Sequence, residues 1–246
     1  MKSFGRKHLL NYVSRFFTTD KMVISFVGDV PRKQLEKMLE ADFINCQQKT
    51  IDTPVNEYFG ENQFKIKNKE SNFQVHSLIG GFAPGYLDDA RRGMTLLTNI
   101  LGGPALNSRL NLSIREKYGY SYNIEATYST FVDTGYWAVY FGTDKKYMRK
   151  SIDLVYKELK LLRDKKLGTQ QLLASKEQLK GHLALGMDSN AGLMMGLGKS
   201  LLLFNQIDTI QEIYESIDRL TASDLLEVAN TYFQEDLISE LIIDIE

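Results

Sequence analysis

Two stretches near opposite ends of the chain carry the same pattern, and this repetition restricts the fold more than any other feature. Leu9, Leu10, Tyr12, Val13, Phe16, Phe17 and Asp20 correspond, 216 positions later, to Leu225, Leu226, Val228, Ala229, Tyr232, Phe233 and Asp236. Apolar residues at these spacings line one face of a helix. With a one-residue slip, "MVISFVGD" (22–29) then matches "LISELIID" (237–244), and both runs suit a buried strand. Any two amphipathic helices followed by strands can align this way, so the repeat is judged by what it requires. A repeat of this period starts the second unit near residue 60 and the first about 150 residues before Met1. The chain is then expected to hold the tail of one unit and all of a second, cut from a protein of roughly 400 residues.

The elements between these ends can be read from period and punctuation. Pro31 opens a helix, "PRKQLEKMLEADF". The stretch "INCQQKTIDTPVNEYFGE" is polar, holds a proline and lacks periodicity, which marks a linker. Domain bounds of 1–48, 49–60 for the linker and 61–246 follow. Strands are predicted in "QFKIKNKE" and "FQVHSLIGGFAP", then helices over 88–101 and 105–117. Strands "YSYNIEATYST" and "TGYWAVYFGT" come next, a mainly helical stretch spans 147–233, and "LISELIIDI" closes the chain as a strand. The fold class is α+β, a sheet covered by helices.

Thirty basic residues against 31 acidic ones leave no basic excess of the kind a nucleic-acid binder shows. The most apolar window, "GLMMGLGKSLLLF", is too short to span a bilayer and carries Lys199, so no membrane span is expected. A lone Cys46 cannot form an internal disulfide and fits a reducing compartment, with a cytoplasmic setting favoured over a periplasmic one.

His8, His76 and His182 lie far apart, with no His-x-x-x-His or His-x-x-Glu-His pair, so no metal ligand is assigned. "GLGKS" (196–200) lacks the first glycine of a phosphate loop at the right distance and sits in a helical context. "LGGP" (101–104) reads as one helix ending before another begins.

"REKYGYSY" (115–122) carries the remaining chemistry. Arg115 falls near a helix end, Gly119 suits a left-handed closing position, and Tyr122 falls early in the predicted strand, sharing a face with Tyr120, Ile124 and Ala126. One tight turn can bring a guanidinium and a phenol together to hold a carbonyl and the oxyanion formed from it. A last-turn cation complementing the helix dipole, beside a packed tyrosine, accounts for the same residues without a ligand.

"ILGGPALNSRLNLSIREKYGYSYNIEATYSTFVDTGYWAVYFGTD" (100–144) resembles the second half of the pitrilysin/insulinase family, which includes the mitochondrial processing peptidases. The first segment, "FGRKHLLNYVSRFFTTDKMVISFVGDV", looks like the end of that family's first half, and the likeness runs through nearly the whole chain. It implies one complete metallopeptidase-like half plus the tail of a preceding similar half. Zinc would belong to the parent protein, held by a His-x-x-Glu-His motif and a further Glu in the first half; none is expected in this chain. Arg115 and Tyr122 fall on the family's substrate-binding Arg and Tyr. The implied function is the substrate-binding portion of a zinc-dependent peptidase, or else a non-catalytic peptide-binding partner subunit or scaffold. The implied partners are a peptide or unfolded polypeptide, the zinc-bearing half, and a second subunit in a homodimer or heterodimer.

Overall fold

The computed structural model describes residues 4–19, 22–43 and 63–245. The expected linker at 49–60, Cys46 and Asp20 lie outside the described residues. The chain divides into two compact units, Met1–Asn56 with His182–Thr209, and Glu57–Gly181 with Ile210–Glu246.

The second unit is built on five strands: β1 (Lys65–Glu70), β2 (Val75–Ala83), β3 (Ile124–Thr130), β4 (Gly135–Thr143) and β5 (Ser239–Ile245). They lie in the order β1-β5-β2-β4-β3, with β1 parallel to β5 and the other neighbours antiparallel. Alternation decides which side chains face inward. Val75, Ile79, Trp137, Val139 and Phe141 are buried on one face. Helices α3 (Arg91–Gly102), α4 (Met148–Asp164) and α8 (Ala222–Tyr232) contact that side of the sheet, and α3 and α4 both pack on α8. Leu97, Leu101, Ile152, Val155 and Leu159 complete the core from those helices. Each such side chain stabilises the fold by about 1.5–3 kcal/mol relative to exposure.

Local signals place the helix ends. Thr221 and Asp224 form a reciprocal cap at the start of α8, with bonds of 2.8 and 3.2 Å. The single tryptophan, Trp137, donates to the Tyr232 carbonyl at 3.1 Å and meets Phe233 edge-on, tying β4 to the end of α8. The mainly helical stretch expected over 147–233 resolves into α4, α5 (Thr169–Met187), α6 (Asn190–Phe204), α7 (Ile210–Asp218) and α8.

The first unit contains α1 (Arg6–Phe16), α2 (Arg32–Phe43) and α6. Ser189 caps α6, and Asn205 closes it in the left-handed region at φ 53°. The helix α1 is displaced by 216 positions from α8 at both ends, and the two have equal length. Residues 22–29, expected as a strand, have no regular secondary structure and belong to no sheet among the described residues. A strand needs a ladder partner for its backbone N–H and C=O groups, and this segment finds none there.

Candidate functional site

The turn that carries Arg115 is wider than expected. The predicted helix over 105–117 is instead a π-helix, Asn111–Glu116, with the Lys117 N–H reaching back to the Leu112 carbonyl at 3.1 Å. Leu110, Asn111 and Ile114 turn into the core, and Asn111 Nδ2 donates to Ser108 Oγ at 2.8 Å. The π form is rare and concentrates at functional sites. Arg115 sits on its outward side with its side chain 40% exposed, and its guanidinium lies 3.6 Å from the neighbouring Glu116 carboxylate.

Gly119 closes the turn at φ +62°, as its place in the sequence requires. Its N–H bonds the Arg115 carbonyl and the Tyr120 N–H bonds the Ile114 carbonyl, both at 3.0 Å. The strand that follows begins at Ile124, not at Tyr120. Tyr122 therefore lies on a bend and is 86% exposed, and its expected strand-face alignment with Ile124 and Ala126 does not form. The bend is held by side chains instead of a ladder. Ser121 Oγ is 2.8 Å from the carbonyls of both Asn123 and Gly142, and Thr143 Oγ1 donates to the Tyr120 carbonyl.

Tyr118, Tyr120 and Tyr147 stack in series, with centroids 5.1 and 4.4 Å apart. Lys117 and Lys146 lie over the outer rings, giving this side of the turn a cationic, aromatic rim. Arg115 and Tyr122 thus flank one turn and both reach solvent, while no hydrogen bond joins them among the described residues. The tyrosine ladder and the hydroxyl anchors were not recognised from sequence. Ser121 and Thr143 are ordinary polar residues until strand register brings them together.

Among the described residues no group of three or more His, Cys, Asp or Glu is arranged to hold a metal ion. His76 Nδ1 pairs with the Tyr140 hydroxyl at 2.8 Å, and His8 Nδ1 accepts from the Gly5 N–H at 3.0 Å. Each of these two imidazoles is thus paired within its own surroundings, and neither belongs to a cluster of metal ligands among the described residues. "GLGKS" lies within helix α6, where its backbone N–H groups cannot wrap a phosphate. Among the described residues no helix is long and apolar enough to cross a membrane.

The fold is a mixed five-stranded sheet packed by helices, with the Arg115–Tyr122 turn leading into β3. The chain belongs to the family described as "Peptidase M16 inactive domain", whose model matches residues 3–179. An uncharacterized zinc protease of Rickettsia felis is 28% identical over 247 residues, covering 98% of this chain and 58% of the relative. The mitochondrial-processing peptidase subunit beta of Saccharomyces cerevisiae is 23% identical over 260 residues, covering 97% of this chain and 55% of the relative. In fold, the chain is similar to a protease from Helicobacter pylori, with a TM-score of 0.82, 15% identity, and coverage of 99% of this chain and 59% of that one. The chain therefore spans somewhat more than half the length of these two relatives.

Proposed function

We propose that this chain is the substrate-holding portion of a zinc-dependent peptidase whose metal is carried by a separate, preceding half. Membership of the inactive-domain family and relatives named as zinc proteases support this reading at the level of the parent protein. The turn itself supports the finer role. A π-helix, a left-handed glycine and two side-chain anchors set a guanidinium and a phenol on either side of one bend, both open to solvent.

A peptide carbonyl under attack develops negative charge on oxygen, and preorganised donors stabilise that charge more than the neutral carbonyl. Arg115 offers a planar fork of donors and Tyr122 a neutral hydroxyl. In the whole protein, Arg115→Ala and Tyr122→Phe should each lower kcat/KM for peptide hydrolysis by about 100-fold, as loss of an oxyanion donor does. Thermal stability should stay near wild type, because both groups are solvent-accessible. Unchanged cleavage in both variants would remove the proposed role.

A second reading is a non-catalytic partner subunit or scaffold in an assembly of similar chains, either homodimeric or heterodimeric. Similarity to a relative named as one subunit of a processing peptidase favours it. A whole protein that lacks His-x-x-Glu-His yet binds peptide through Arg115 would decide for this second reading.

A further inference from the structure

Several cations of the second unit are matched to carboxylates, among them Lys65 with Glu240, Lys67 with Asp244, Arg109 with Glu158 and Lys180 with Asp218. The turn after the π-helix departs from that pattern. Lys117 and Lys146 lie over the rings of Tyr118 and Tyr147, at 5.1 and 4.7 Å, and among the described residues neither forms an ion pair. Tyr120 stacks on both of those tyrosines, at interplanar angles of 15° and 16°. The stack therefore draws together two segments that lie apart in sequence, 115–122 and 144–150.

The charge of these segments differs from that of the whole. The chain has a net charge of −1, yet here Arg115, Lys117, Lys145, Lys146, Arg149 and Lys150 stand against Glu116 and Asp144. Glu116 lies beside Arg115, while Lys145 is engaged by Asp244 and Arg149 by Asp153. Lys117, Lys146 and Lys150 remain, against Asp144 alone.

A carboxylate is the complement of this rim. An ammonium held over a ring keeps its N–H donors for a ligand, and the ring limits its rotamers beforehand, so less side-chain freedom is lost on binding. The hydroxyls of Tyr118, Tyr120 and Tyr147 make no hydrogen bond among the described residues and add neutral donors to the same surface. Tyr118 is 44% exposed. A nucleobase would need an open ring face to stack on, whereas the end rings here already lie under ammoniums.

The rim also lies within reach of the proposed carbonyl-holding pair. Lys117 comes two residues after Arg115 and Tyr120 two before Tyr122, a separation of at most about 7 Å in each case. An extended peptide advances about 3.4 Å per residue, so side chains within about three residues of a carbonyl held by Arg115 and Tyr122 reach the rim.

We infer that the tyrosine stack with Lys117 and Lys146 is a subsite for acidic side chains of the bound peptide. This rests on the peptide-holding role proposed for Arg115 and Tyr122, and it names the class of peptide they take.

The test measures binding of labelled unfolded peptides to the full-length protein by fluorescence anisotropy at low salt. One sequence is made in a neutral version, a version with Glu at alternate positions, and a version with Lys at the same positions. The Glu version should bind at least about 5-fold more tightly than the Lys version, the factor that one pair of unit charges 4 Å apart in water supplies. Salt at about 1 M, where screening acts within about 3 Å, should remove the difference. Lys117→Glu with Lys146→Glu should reverse the order, and Lys117→Gln with Lys146→Gln should abolish it, which keeps the test decisive if charge reversal disturbs the turn.

Equal binding of the Glu and Lys versions by the wild type, or a Glu preference that survives in both double variants, overturns the inference. So does a single-stranded oligonucleotide of equal charge that binds as tightly as the Glu peptide. Binding of all three peptides without charge preference, weakened equally by Arg115→Ala, leaves the peptide-holding role standing and removes only the acidic subsite. Failure of all three to bind overturns that role and the subsite together.

Discussion

Gly119 and Gly102 are both required by the turn region, for different reasons, and alanine at each should separate them. At Gly119 the backbone is left-handed, at φ +62°, but a Cβ would meet nothing within 4 Å. The cost of Gly119→Ala is therefore conformational only, about 1–2 kcal/mol for an L-residue in that region. Reduced freedom of the unfolded chain returns roughly 0.5 kcal/mol of it. The net loss should be about 1 kcal/mol. Gly119→Asn should lose less than half as much, since asparagine tolerates this conformation.

At Gly102 the dihedral is not the constraint. A Cβ there would lie 2.7 Å from the Ala126 backbone nitrogen and 2.9 Å from the Ala126 Cβ. Neither atom can swing aside, so α3 must move off β3, at about 1–3 kcal/mol. The expected order of loss is Gly102→Ala, then Gly119→Ala, then Gly119→Asn. Urea unfolding followed by fluorescence measures it, because Trp137 is the single tryptophan and is buried in the second unit. If Gly119→Ala costs nothing, or as much as Gly102→Ala, the account of the turn is wrong.

Two electrostatic predictions concern the supports of the sheet. Asp244, buried in β5, accepts from Lys67 at 2.8 Å and from the Ile245 N–H, and these bonds hold its carboxyl below the ordinary 3.8. A depressed carboxyl contributes stability above its unfolded value and loses it as pH falls through the folded one. The urea midpoint should therefore drop below about pH 4, and Asp244→Asn should flatten that drop while lowering stability at neutral pH. Arg109 and Glu158 form a mostly buried pair 3.7 Å apart, in which burial pushes the guanidinium down and the carboxyl up. Arg109→Met strands the carboxylate and should cost about 3–5 kcal/mol. A carboxyl raised in the folded state gains stability by protonation, so this variant should recover as pH falls from about 7 towards 5; thermal melts showing the opposite slope would contradict the pairing.

Local chemistry determined much of this protein by itself. Apolar period placed α1 and α8 with equal lengths and a constant displacement, because burying a stripe at that spacing calls for a helix. Strand alternation located all five strands of the sheet, and the identity of residue 119 announced a left-handed closure. The resemblance, carried on the residues from Gly102 to Tyr122, pointed to the family.

Other features waited for tertiary structure, since they depend on atoms distant in sequence. The segment at 22–29 has the residues of a strand, but a strand exists only with a partner to complete its hydrogen bonds. Tyr122 reads as part of β3 until Ser121 and Thr143, anchored to β4 and the turn, bend the chain outward ahead of Ile124. The row of small residues across the sheet has no signature along the chain at all. Ser239, Gly80, Ala138 and Thr127 become neighbours only because strand register sets four separate segments side by side.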